Sequence, residues 1–244
     1  MNLHDVKKDF PLTKIIGDFK SLILFGSYSR GDFENTSDID ILQISSEIRT
    51  SYSFDKFNIS VYTEKQLFKM ASESSLFILH IIREGEVIFG DQTILNKLSK
   101  AFIKVDTYEK FRKDILTTAK ILDVRGKSEY TISWNEYNNL LCFLFRSYLY
   151  SDLYDHGKVV FSVAEVSKLY KDRKIIGVFK LKKEGKPNYK KFLKCKELFE
   201  YYAKSKFINE YENLESLRKN FKNAPDLFVA MLKHFESDLN LSYN

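Results

Sequence analysis

Gly26-Ser27-Tyr28-Ser29-Arg30-Gly31-Asp32-Phe33-Glu34-Asn35-Thr36-Ser37-Asp38-Ile39-Asp40-Ile41-Leu42 is the stretch on which the reading of this chain of 244 residues turns. Just before it, Leu22-Ile23-Leu24-Phe25 is a short apolar run, which reads as a buried strand over residues 21–26 that ends at the glycine. Residues 27–34 read as a turn with a short helix, and 38–45 as a second strand. In that strand Asp38 and Asp40 alternate with Ile39 and Ile41. Strand side chains change face at every residue, so both carboxylates point to one side and both isoleucines to the other. Two carboxylates on one pleat repel each other unless a cation lies between them. Magnesium, which takes oxygen ligands and keeps substrate phosphates in its shell, is the natural occupant. Gly26 lets the backbone approach a ligand closely, and the Ser27 hydroxyl with the amides after it can hold phosphate oxygens. Arg30 has two readings of equal weight: a contact to phosphate, or a surface partner of Asp32 or Glu34.

Working outward, residues 4–20 read as a short helix and lead-in broken at Pro11 and Gly17. Lys56 to Thr63 alternates again and reads as a third strand. Glu64 to Ser72 starts a helix, and Ser75 to Glu84 is a second helix, nearly apolar throughout and hence buried beneath the sheet, with His80 as a core histidine. Gly85 to Gly90 leaves it as a short extended piece.

Gly-Ser, a glycine four residues after the serine, then Ser-Asp-x-Asp resembles the signature of the DNA polymerase beta-like nucleotidyltransferases. The similarity is closest to the small prokaryotic members, which include antibiotic adenylyltransferases and toxin–antitoxin nucleotidyltransferases. It is carried by residues 22–42, with a similar layout to about residue 90. The resemblance implies an α+β fold, a mixed sheet backed by helices (a polymerase beta-like palm), and transfer of an NMP from an NTP, most naturally ATP. It places Gly26, Ser27 and Arg30 at the nucleotide, and Asp38 and Asp40 on a two-metal magnesium site. A third carboxylate normally follows on the next strand, completing the second metal site and acting as general base. Aligning Phe57-Asn58-Ile59-Ser60-Val61-Tyr62-Thr63 on its Val-Tyr-Thr end puts Asn58 in that third catalytic position. An amide carries no charge and takes no proton. Two readings follow: transfer that draws its base from elsewhere, or a nucleotide-binding regulator with little or no catalysis.

Beyond residue 105 the pattern becomes helical, and the expected boundary separates a nucleotidyltransferase domain, 1–105, from a helical bundle, 106–244. Tyr108 to Val124, Trp134 to Leu153, Val163 to Tyr170, Tyr189 to Phe207, Asn213 to Asn220 and Pro225 to Leu239 read as its helices. Charge is uneven. The net +6 divides into −1 over residues 1–105 and +7 over the rest, and Lys168 to Lys196 alone carries +10. Lys174, Lys182, Lys183, Lys190 and Lys191 are candidate nucleic-acid contacts there, with Tyr170, Phe179, Tyr189 and Phe192 interleaved as possible stacking platforms; the competing reading is a solvated lysine face with the aromatics inside. Arg146, in an apolar helix, needs a carboxylate or a phosphate as partner. Three acceptors stay open: an RNA end such as that of tRNA, a hydroxyl of a partner protein, or a small molecule. Cys142 and Cys195 lack metal spacing and read as reduced thiols, no signal peptide opens the chain, and no apolar run would span a bilayer, so the expectation is a soluble cytoplasmic protein with no membrane partner.

Overall fold

The structure is a computed structural model that describes residues 10–35 and 37–211, with residues 216, 217, 219, 225–229 and 231 beyond them. The chain divides into two compact units, Met1–Val105 and Asp106–Asn244.

The first unit is α+β, built on a five-stranded mixed sheet. Its elements are strand β1 (Ser21–Phe25), a single helical turn α1 (Ser27–Arg30), β2 (Ile39–Ser45), β3 (Tyr52–Phe54), β4 (Phe57–Thr63), helices α2 (Glu64–Ser72) and α3 (Leu76–Glu84), β5 (Glu86–Gly90) and α4 (Ile94–Ala101). The order across the sheet is β3-β4-β2-β1-β5. β1 runs antiparallel to β2 and β5, β3 antiparallel to β4, and β2 and β4 lie parallel. β1 is buried along its whole length and apolar from Leu22 to Phe25 because both of its faces are covered. Leu22, Leu24, Ile39, Ile41 and Ile59 share one core with Phe10 and Tyr28, whereas Ile23, Phe25, Leu42 and Ile44 share the other with α2, α3 and α4. The isoleucines flanking Asp40 thus point away from it, as the alternation requires. α2 starts where a capping box closes, Thr63 accepting from the Gln66 amide while the Gln66 side chain accepts from the Thr63 amide.

Two expectations change here. Of residues 4–20, positions 4–9 fall outside the described residues, and the rest form only a 3-10 turn at Leu12–Lys14, since Pro11 and Gly17 leave no room for a longer helix. The second strand begins at Ile39, so Asp38 is the residue leading into it. β3 and α4 are additions. β3 is only three residues long and exists by pairing with β4, which no local pattern announces.

The second unit is helical: α5 (Glu109–Thr118), α6 (Lys127–Ile132), α7 (Trp134–Asp155), α8 (Val163–Leu169), α9 (Lys174–Phe179) and α10 (Tyr189–Ala203), with 3-10 turns at Ala119–Leu122 and Lys180–Lys183. The expected helix from Tyr108 to Val124 therefore tightens into a 3-10 turn over its last part. The central helix α7 buries residues all along its length, among them Tyr137, Leu141, Phe145, Leu149 and Leu153. Its buried Asn138 is satisfied, accepting from the Tyr130 hydroxyl at 3.0 Å and donating to the Leu181 carbonyl at 3.3 Å. The expected helices Asn213–Asn220 and Pro225–Leu239 lie largely outside the described residues.

Candidate active site

Three strands bring the site together at one end of the sheet. Phe25, the last residue of β1, stands opposite Asp40 on β2, and Asp40 stands beside Asn58 on β4. Partners in register share a face, so Asp40 and Asn58 lie side by side although 18 residues separate them in the chain. The Asn58 side-chain amide donates to Asp40 Oδ1 at 3.5 Å, and its oxygen accepts from the Ser53 hydroxyl on β3 at 3.0 Å. Asn58 thus turns its nitrogen to Asp40 and its oxygen away. That amide orientation is the one its hydrogen-bond partners assign.

Gly26 forms the wall next to Asp40. Its backbone (φ 75°, ψ −149°) is accessible only to glycine, and a Cβ placed there would come within 2.9 Å of Asp40 Oδ2. The missing side chain keeps that oxygen open on the side of the turn. Ser27 then opens α1, whose first amides have no acceptor within the helix. Gly31 closes α1 in the left-handed conformation, and the ring of Tyr28 stacks on Phe33 at 4.3 Å, which holds the turn. Asp38 is exposed just before β2.

Arg30 pairs with Asp32, one of its expected partners, and with a second that local reading missed. Its Nε pairs with Asp32 Oδ1 at 3.1 Å, and its Nη1 with Glu84 at the end of α3. Burial by itself would lower the pKa of this guanidinium; the hydrogen bonds and charges of Asp32 and Glu84 outweigh it and hold it above its ordinary value. His80, four residues before Glu84 on α3, meets the same carboxylate at 2.8 Å and packs edge-on against Phe25 at 5.5 Å. The Ser29 hydroxyl donates to the Glu84 carbonyl. Glu84 therefore ties α1 to α3. The spacing of His80 and Glu84 is a visible helical signal; the link to Arg30 is long-range and has none.

The donor set suits one magnesium ion of the kind that takes one or two carboxylates and fills its shell with water and substrate phosphates: Asp38 and Asp40 would hold it. Asn58 does not supply a third charge, and among the described residues no group of three His, Cys, Asp or Glu side chains is placed to bind a metal.

The five lysines of the basic segment all belong to the second unit. Lys174, Lys182, Lys183 and Lys190 are exposed; Lys191 is half-buried and paired with Glu184. Of the interleaved aromatics only Phe192 is fully buried, and Tyr170, Phe179 and Tyr189 are half-buried. Phe179 stacks on Phe145, Tyr189 packs on Tyr130, and the Tyr170 hydroxyl donates to Asp152. Arg146 is half-buried on α7 and has no carboxylate within ion-pair distance among the described residues.

A mixed sheet with a glycine-serine turn after β1, one aspartate on the neighbouring β2 and another leading into it is a nucleotidyltransferase-type fold. Residues 14–94 match the family described as "Polymerase beta, Nucleotidyltransferase". A protein of Methanocaldococcus jannaschii named "Putative protein adenylyltransferase" is 33% identical over 87 residues, which cover 32% of this chain and 85% of that protein. The chain belongs to the polymerase beta-like nucleotidyltransferase superfamily. A solved nucleotidyltransferase-like protein from Exiguobacterium sibiricum is 15% identical over 97% of this chain and 88% of its own, with a TM-score of 0.29, a score from which nothing further follows.

Proposed function

We infer that this chain transfers a nucleoside monophosphate, AMP in the first instance, from its triphosphate to a hydroxyl, and that the first unit carries the chemistry. The observation that supports this reading most directly is the register placing Asp40 between Phe25, at the lip of the Gly26-Ser27 turn, and Asn58. In this reading Gly26, Ser27 and the opening amides of α1 grip the phosphates, while Asp38 and Asp40 hold magnesium. Bound there, the metal neutralises charge on the triphosphate and on the departing pyrophosphate. The acceptor oxygen forms a bond to the α-phosphorus, the bond to the β-phosphate oxygen breaks, and pyrophosphate leaves. The hydroxyl proton passes to water, since Asn58 cannot take it. Arg30 acts by holding the turn to Glu84 and Asp32. The name of the archaeal relative favours a hydroxyl of a protein as acceptor, the arrangement that a toxin–antitoxin pair would use. An RNA end is the other candidate.

The test incubates purified protein, magnesium and each α-labelled NTP with cell extract or total RNA, beside an Asp38→Ala/Asp40→Ala variant. Label in a protein or RNA band, absent with the variant, is the expected result. Magnesium-dependent nucleotide binding without label in any band would instead favour the second reading. In that reading the site senses nucleotide, and the observation behind it is Asn58 presenting N–H groups to Asp40.

A further inference from the structure

The segment from Lys168 to Lys194 on the second unit has an exposure pattern that its sequence does not disclose. Every exposed side chain in it is lysine or arginine except Pro187. The two acidic residues within it are half-buried and hydrogen-bonded within the protein. Asp172 accepts from the Lys174 amide at 2.8 Å and from the Tyr202 hydroxyl at 3.0 Å, and Glu184 accepts from Lys191. Its fully exposed charged side chains therefore carry one sign of charge. Lys168, Lys180, Lys190 and Lys194 have no carboxylate within ion-pair distance among the described residues. Lys190 and Lys194 are one helical turn apart on α10, a like-charge spacing that costs a few tenths of a kcal/mol unless an anion lies between the two.

We propose that this surface binds the sugar-phosphate backbone of a double-helical nucleic acid. A duplex presents about one negative charge per 1.7 Å of its axis, the densest linear array of anions that such a surface meets, and lysine ammonium groups neutralise phosphates as point charges without reading bases. Single strands are held by a basic groove together with bases stacked on open aromatic faces; here Phe192 is buried, and the half-buried Tyr170, Phe179 and Tyr189 each lie against another ring of the helical unit. An anionic membrane surface would be met by apolar side chains among the lysines. None of the exposed large hydrophobic residues among the described residues lies between 168 and 194. The inference stands apart from the transfer reading, because it concerns only the second unit.

Fluorescence anisotropy of the full chain with a labelled RNA duplex, a DNA duplex and a single strand of equal length, followed across a salt series, tests it. Each phosphate contact contributes a slope of about −0.9 in log K against log salt, so about five contacts lose ~500-fold in affinity over a four-fold rise in salt. The quadruple variant Lys180→Gln/Lys182→Gln/Lys183→Gln/Lys186→Gln, checked for folding by circular dichroism, should flatten that slope by roughly 3 to 4. Asp38→Ala/Asp40→Ala should leave duplex binding unchanged, which separates this inference from the fate of the transfer reading. Tighter binding to the single strand overturns the proposal. So does equal binding to anionic vesicles or to polyglutamate, or a salt slope that the quadruple variant leaves intact.

Discussion

Asn58→Asp would place a carboxylate beside Asp40, and the structure sets the size of the effect. The Asn58 nitrogen lies 3.5 Å from Asp40 Oδ1. Both side chains are half-buried, so an effective dielectric of about 40, between a protein surface and bulk water, is appropriate; two unit charges at that distance then repel by about 2 kcal/mol. The Ser53 hydroxyl donates equally well to the new carboxylate, so the change falls on the Asp40 side alone. In chelator the variant should unfold roughly 10 °C below the wild type, taking ~4–8 °C per kcal/mol for a unit of about this size. Magnesium should recover that loss, giving the variant a much larger metal-dependent rise in midpoint than the wild type. Scanning calorimetry in chelator and in magnesium measures both quantities. Adding Asp40→Asn to the variant removes the repulsion and should restore the chelator midpoint. If Asn58→Asp melts with the wild type in chelator, or if Asp40→Asn does not rescue it, Asp40 and Asn58 do not share a charge site and the placement of the metal falls with them. Label transfer should also rise in the variant, since the general base is restored.

Gly26→Ala forces a Cβ to 2.9 Å from Asp40 Oδ2 in a backbone conformation that alanine avoids; it should cost about 1–3 kcal/mol and abolish magnesium-dependent nucleotide binding, and unaltered binding in a titration would count against the turn as the phosphate site. In the second unit, burial raises the pKa of the Glu200 carboxyl, but hydrogen bonds from Lys206, the Phe207 amide and Lys196 outweigh it, and the folded value lies below the ordinary one. A depressed carboxylate contributes stability that is complete above the unfolded pKa, about 4.3, and is lost as pH falls through the folded value. Glu200→Gln should therefore lower stability by ~1–3 kcal/mol near neutrality and converge on the wild type in acid, as read by urea midpoints against pH; a gap that stays constant into the acid range would contradict the assignment. Burial pushes the thiols of both Cys142 and Cys195 up to about 11. Neither should react with a thiol reagent in the native protein at neutral pH, and rapid labelling would disprove their burial.

Local patterns carried much of the site. The alternation around Asp40 and the glycine before Ser27 are short-range signals, and the structure places them at one sheet end. Aligning β4 on Val61-Tyr62-Thr63 put Asn58 at the family's third position, and the parallel register, which no local pattern gives, sets that residue beside Asp40. What was not legible is what depends on distant partners. Glu84 reaches Arg30 across 54 positions, and the parallel register brings Asn58 to Asp40 across 18. Burial was the other gap. Tyr189 and Phe192 read equally well as solvent-facing or core until α6 and α10 are seen to enclose Tyr130 with them. The same holds for Asp172 and Glu184, whose partners within the protein leave only basic charged side chains fully exposed in that segment.

The burial of α7 along its whole length bears on how the helical unit opens. α5, α6, α8 and α10 each pack on this one helix of about 33 Å, so its amides gain access to solvent only when most of those neighbours have detached. Hydrogen exchange from the middle of α7 should then proceed through the largest cooperative opening of the unit, while α6 and the 3-10 turn at Lys180–Lys183 exchange through small local ones. A helix that no partial unfolding exposes acts as the clock of the unit: its exchange rate measures how rarely the unit comes apart altogether.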